Sequence, residues 1–139
     1  MAAQFGRVLT DERVGRGLAV GDLDNDGRLD VIVNNLDGSP EVLHNELAER
    51  GNWLLVKLTG AGRNTDAIGA IVTARAGAAT QRRLVQSGSS YLSQNDMRLH
   101  FGLGAAAQLD SLEVQWPDGK TSKMENVKAN QVLRVQEPR

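Results

Sequence analysis

The sequence predicts an all-β protein in two parts, an acidic-loop β-hairpin packed on an antiparallel β-sandwich or barrel. Three observations carry this prediction. Apolar residues alternate with polar ones at period two in several short runs, and Gly, Asn, Asp or Pro close those runs. Nowhere do apolar residues recur at i, i+3, i+4 and i+7 through a window long enough for a major helix. The 139-residue length suits one ordinary domain or one domain with an appendage, and the textures suggest parts at 1–50 and 51–139.

Taken in chain order, residues 1 to 16 are polar and mixed, with Phe5, Val8 and Leu9 as the main apolar anchors. Leu18–Gly21 and Asp30–Asn34 read as two strands flanking an acidic turn. Glu41–Arg50 is the best helical candidate, but its Val42, Leu43 and Leu47 fit a strand and loop equally well. Trp53–Leu58 is apolar on both faces except at Lys57, the pattern of a more central strand. Ile68–Ala76 and Gln81–Gln86 form an expected pair around Gly77, followed by Arg98–Phe101. In Ser111–Trp116 the residues Leu112, Val114 and Trp116 share one face, and Pro117-Asp118-Gly119 supplies the turn. Lys120–Met124 is then the returning arm, and Gln131–Val135 completes the set.

Composition removes several classes of function. With 16 Lys+Arg against 17 Asp+Glu the chain lacks the basic surplus of a general nucleic-acid binder. It has no cysteine, which excludes disulfide scaffolds and thiolate zinc sites. No apolar run approaches the roughly 18 residues needed to span a membrane.

The segment with strong chemistry is Gly21 to Asp30. Asp22, Asp24, Asp26 and Asp30 occupy positions 1, 3, 5 and 9 of a nine-residue loop. Carboxylates so crowded repel one another unless a cation neutralises them. Gly27 at position 6 allows a sharp turn, and the carbonyl of Arg28 at position 7 is the expected backbone ligand. Only oxygen ligands are offered, with no His or Cys expected nearby, which fits a hard cation and favours Ca²⁺ over the stricter Mg²⁺. An EF-hand is excluded, because its position 12 needs Glu and here holds Val33 in a β-branched run. The competing reading is an acidic surface turn without metal, since Asp-Asn-Asp-Gly is good turn chemistry by itself.

Gly17-Leu18-Ala19-Val20-Gly21, the acidic loop and Val31-Ile32-Val33-Asn34-Asn35 together resemble the FG-GAP/VCBS repeat, the calcium-loop hairpin of integrin-type β-propeller blades. The remainder is similar to the ASPIC/UnbV domain, which follows such repeats in the cartilage-acidic-protein-like family. The matching stretches are Asn52–Leu58, Asp66–Ala70, Gly88–Ser93, Leu99–Gly104, Val114–Gly119 and Asn130–Leu133. The resemblance implies an extracellular or periplasmic protein with calcium-stabilised repeats. It carries over Asp22, Asp24, Asp26, Arg28 (main chain) and Asp30 as metal residues, and no catalytic set. Propellers close with several blades, and this chain holds at most one. A C-terminal fragment of a longer protein is therefore expected, with an exposed strand edge open to dimerisation or strand exchange. The same expectation accounts for an N-terminus, Met1 to Arg7, without the apolar stretch of a signal peptide.

Other motifs carry less. Gly102 to Ala107 matches a loose dinucleotide fingerprint, but the next strand follows too soon for the required helix. Gly88-Ser89-Ser90-Tyr91 lacks the second glycine of a nucleophile elbow. His100, between Leu99 and Phe101, and His44 both read as structural. Trp53 and Trp116 read as core residues, and Arg63, Arg82 and Arg83 as solvated surface. Tyr91, beside Ser89, Ser90, Ser93, Gln94 and Asn95, is the better exposed aromatic and a candidate sugar contact.

The expected function is a non-catalytic, calcium-binding structural or interaction module of a larger secreted protein, with the hairpin packed against the domain after residue 51. Its expected partners are neighbouring repeats or an extracellular protein. A carbohydrate-binding module centred on Tyr91 or an exposed tryptophan is the second expectation, and an accessory biosynthetic enzyme the third.

Overall fold

The structure, a computed structural model, describes residues 12–48 and 51–139, so Phe5, Val8 and Leu9 lie outside the described residues. Every regular element among the described residues is a strand. Two compact units emerge: one runs to Glu46 and takes in Gly88–Asp96, and the other comprises Leu47–Ser87 and Met97–Arg139. No helix among the described residues is long and apolar enough to cross a membrane.

The first unit is a three-stranded antiparallel sheet of β1 (Gly15–Gly21), β2 (Asp30–Asn35) and β3 (Glu41–Leu43), in that spatial order. The acidic loop joins β1 to β2, as the alternation of Leu18–Gly21 and Asp30–Asn34 predicts. The candidate helix at Glu41–Arg50 is instead the short strand β3 and the coil after it, with residues 49 and 50 outside the described residues. Segment 88–96 lies along the outer edge of β1. The Val20 N–H donates to Asn95 Oδ1 at 2.9 Å, and the Val20 carbonyl accepts from the Asp96 N–H at 2.9 Å. Gly17 makes this approach possible, because a Cβ there would stand 2.7 Å from Ser93 Oγ. Segment 88–96 thus engages the outer edge of β1 at Val20.

The second unit contains β4 (Asn52–Thr59), β5 (Ile71–Ala76), β6 (Ala79–Leu84), β7 (Leu99–Gly104), β8 (Gln108–Gln115), β9 (Thr121–Lys128) and β10 (Gln131–Gln136). They form one sheet of order β10-β4-β7 and one of order β6-β5-β8-β9, a β-sandwich and not a closed barrel. β4 is central in its sheet, which is why Trp53 to Val56 are buried on both faces. Leu112 and Val114 of β8 and Trp116 just after it are buried as the alternation requires, and Trp116 Nε1 donates to Ser122 Oγ at 2.8 Å across the turn. Phe101, Leu54, Leu109, Val72 and Val114 anchor one apolar cluster drawn from both sheets. Each such side chain contributes about 1.5–3 kcal/mol of burial.

Two details depart from the expected pattern. β10 pairs with β4 in parallel. Asn130 directs this return: its side-chain Oδ1 accepts the Trp53 N–H at 3.2 Å, while its backbone N–H donates to the Trp53 carbonyl. Ile68–Ala70 is a turn and not the start of a strand. Asn64 holds it, with Nδ2 donating to the Ile68 carbonyl at 2.8 Å and Oδ1 accepting the Ile68 N–H at 2.9 Å.

Candidate functional site

In the β1–β2 loop the backbone turns through two left-handed residues, Asn25 at φ 63° and Gly27 at φ 90°. Asn and Gly are the residue types that take this conformation at least cost. The turn aims its N–H groups at carboxylates. Asp22 Oδ1 accepts the Asp26 N–H at 3.1 Å, and Asp22 Oδ2 accepts the Gly27 N–H at 2.8 Å. Asp24 Oδ1 accepts from the Asp26 N–H at 3.2 Å. Asp30 Oδ2 accepts from the Leu23 N–H at 3.0 Å, so the last acid of the loop also holds its beginning.

Asp22, Asp24 and Asp30 converge, each with a carboxylate oxygen within 4.8 Å of the others. Asp22 and Asp30 are each only 1% exposed, while Asp24 faces solvent. At an effective dielectric of about 20, two unit charges 4.8 Å apart repel by about 3.5 kcal/mol, and less where water reaches Asp24. The donor set is wholly carboxylate oxygen, the set a hard divalent cation prefers. Asp26 forms an ion pair with the Arg28 guanidinium and accepts the Arg28 N–H at 2.8 Å, so its carboxylate stands outside the converging three. Arg28 Nε is left buried without a partner.

The expectation that no histidine lies nearby is corrected. His44 Nδ1 is 2.8 Å from Asp30 Oδ1, and its Nε2 is 3.8 Å from Asp24 Oδ2. The antiparallel register explains this, since Val31 pairs with Leu43 and the next position along places His44 opposite Asp30. Asp30 Oδ1 also accepts the Asn45 N–H at 2.9 Å. Burial pushes the Asp30 carboxyl up, but the Asn45 and Leu23 N–H groups and the His44 ring outweigh it and hold it below 3.8. Asp30 therefore fastens the loop to the end of β3.

The remaining candidates separate clearly. Trp53 and Trp116 are buried at 8% and 3% exposure, which removes them as sugar platforms. Tyr91 is 59% exposed and stands in the turn of segment 88–96. His100 sits in β7 opposite Leu55 of β4. Gly102 to Ala107 spans the end of β7 and the turn into β8, with no helix.

The family described as ASPIC and UnbV matches residues 60–139. The chain is 35% identical over 133 residues to cartilage acidic protein 1 of Xenopus tropicalis, covering 89% of this chain and 20% of that protein. It is 33% identical over 143 residues to cartilage acidic protein 1 of Homo sapiens, covering 96% of this chain and 21% of that protein. The Mus musculus protein of the same name is 33% identical over 142 residues, with the same coverage. The chain thus spans about a fifth of the length of these curated relatives.

Proposed function

The chain belongs to the ASPIC and UnbV family, and from that premise we propose that it is a non-catalytic, calcium-binding structural module of a longer extracellular protein. The observation that carries this is the convergence of Asp22, Asp24 and Asp30 within 4.8 Å, two of them buried. The resemblance of residues 17–35 to the FG-GAP/VCBS repeat supports the ion's identity. The relatives' name, cartilage acidic protein, supports the extracellular setting.

Asp22, Asp24 and Asp30 would hold the ion, with the Asp26 carboxylate and the Arg28 carbonyl available to complete its shell. A bound divalent cation supplies positive charge that offsets carboxylate repulsion. The chain's own residues do the rest. Asp22 closes the turn through the Asp26 and Gly27 N–H groups, and Asp30 ties that turn to His44 and Asn45. The loop, β2 and the end of β3 then respond as one block. His44 is engaged by Asp30 in this reading, which gives it a positioning role for the loop.

Calorimetric titration of calcium into wild type and Asp24→Ala tests the proposal. The expected result is saturable 1:1 binding with a Kd of roughly 10⁻⁴ to 10⁻³ M, lost in the variant and weaker for magnesium. No heat with wild type up to about 10 mM calcium, well above that range, would overturn it.

A further inference from the structure

We propose that a cavity in the first unit, bounded by the β1 bulge and the Tyr91 turn, binds a uronic-acid residue of a glycan. The proposal stands apart from the calcium loop and rests on different residues.

The register of β1 against β2 slips between Gly15, opposite Asn35, and Gly17, opposite Asn34. Arg16 is the extra residue of this bulge, a distortion that re-aims a side chain away from the ladder. On the other side, segment 88–96 doubles back at a tight turn, with the Ser93 N–H donating to the Ser90 carbonyl at 3.2 Å and the Ser93 hydroxyl donating to the Tyr91 carbonyl at 2.8 Å. The turn presents Tyr91 at 59% and Leu92 at 90% exposure, with Leu92 in the left-handed region at φ 47°. Between bulge and turn lies a cavity of about 290 Å³, lined chiefly by Arg16, Asn34, Asn35, Leu36, Tyr91 and Leu92. That volume is at the small end for ligand sites, room for about one ring.

Three features of the lining define the occupant. Asn35 is 6% exposed, and its Oδ1 is buried with no hydrogen-bond partner, while its Nδ2 donates to the Ser39 carbonyl at 3.3 Å. A buried acceptor left unpaired costs about 1–3 kcal/mol, so it calls for a donor such as a sugar hydroxyl. The Arg16 guanidinium lies 5.7 Å from the centre of the Tyr91 ring and pairs with no carboxylate of the described residues. A planar fork held this way suits a carboxylate, which it can grip through two hydrogen bonds. Tyr91 and Leu92 offer the apolar surface on which the C–H face of a pyranose lies. A peptide carboxylate would also engage Arg16, but it brings no hydroxylated ring to meet Asn35 and Tyr91 together.

The test is titration of the ¹⁵N-labelled chain, in calcium-containing buffer, with three probes: a glucuronate-containing tetrasaccharide, a neutral glucose tetrasaccharide and a glutamate-rich peptide. Wild type, Arg16→Gln and Tyr91→Ala are compared; both substitutions change exposed side chains, and unchanged amide spectra elsewhere report an intact fold. The expected result is saturable shifts of amides 16–17, 34–36 and 91–92 with the acidic glycan. The neutral glycan and the peptide should bind at least tenfold more weakly, and each variant should lose at least tenfold, or about 1.4 kcal/mol. Absence of localised shifts, equal binding of the neutral glycan, tighter binding of the peptide, or unchanged affinity in Arg16→Gln would each overturn the proposal.

Discussion

The two units bury opposite kinds of residue. Every buried hydrophobic side chain among the described residues belongs to the second unit, from Trp53 to Val135, whereas the buried polar and charged ones, Asp22, Asp30 and Asn35, all belong to the first. In the sandwich, apolar area removed from water supplies the driving force, and it needs no partner outside the chain. In the three-stranded sheet, Leu18, Leu36 and Val42 stay exposed, and order rests on carboxylates that organise backbone N–H groups. Such a unit should answer to pH, and the sandwich to packing.

The largest expected effect breaks the sandwich alone. Phe101→Ala empties a fully buried site in β7 and should cost about 3–5 kcal/mol, read by chemical denaturation. Calcium affinity of the acidic loop should remain unchanged. Asp30→Ala breaks the other unit. It strips the Leu23 and Asn45 N–H groups and His44 of their shared acceptor, for an expected loss of about 3 kcal/mol. The readout is the amide spectrum of residues 15–35, with the sandwich signals retained.

Acid sharpens the contrast. The Asp30 carboxyl is held below 3.8 in the folded chain, so its stabilisation is complete above that value and disappears as pH falls through the lower, folded one. Below about pH 4 the signals of the loop and of β2 should therefore broaden before those of β4 and β8. Asp118 is also held low, by the Lys120 N–H and ammonium, but it sits exposed on a turn, so its protonation should leave the sandwich folded. The smallest effect is the most diagnostic. Asp24→Ala removes one exposed carboxylate from a repelling group, so without calcium its stability should lie within about 0.5 kcal/mol of wild type. If the proposed site binds calcium, a thermal shift is expected with wild type and none with the variant.

Much of the sandwich was legible from alternation, because a half-buried strand writes its faces into its sequence, as Leu112, Val114 and Trp116 do. The parallel partnership of β10 with β4 was not, since inward-facing residues do not name their neighbour; Asn130 decides it through contacts 77 positions away in the chain. The acidic loop was visible as spacing, and the convergence of Asp22, Asp24 and Asp30 follows it. The diversion of Asp26 to Arg28 was not visible, because a basic residue two positions away competes for the same carboxylate. His44 was missed because its approach to Asp30 depends on the β2–β3 register, which local sequence does not set. Segment 88–96 looked like part of the second domain. It belongs to the first unit through single polar contacts at Val20 and the space left by Gly17.

The most direct test of the contrast is amide hydrogen exchange of the intact chain with and without calcium at about 5 mM, above the expected Kd range. The account predicts slower exchange in residues 22–35 and 44–45 on adding calcium, and no change across β4, β7 and β8. Equal protection throughout both units, or none in the acidic loop, would contradict it.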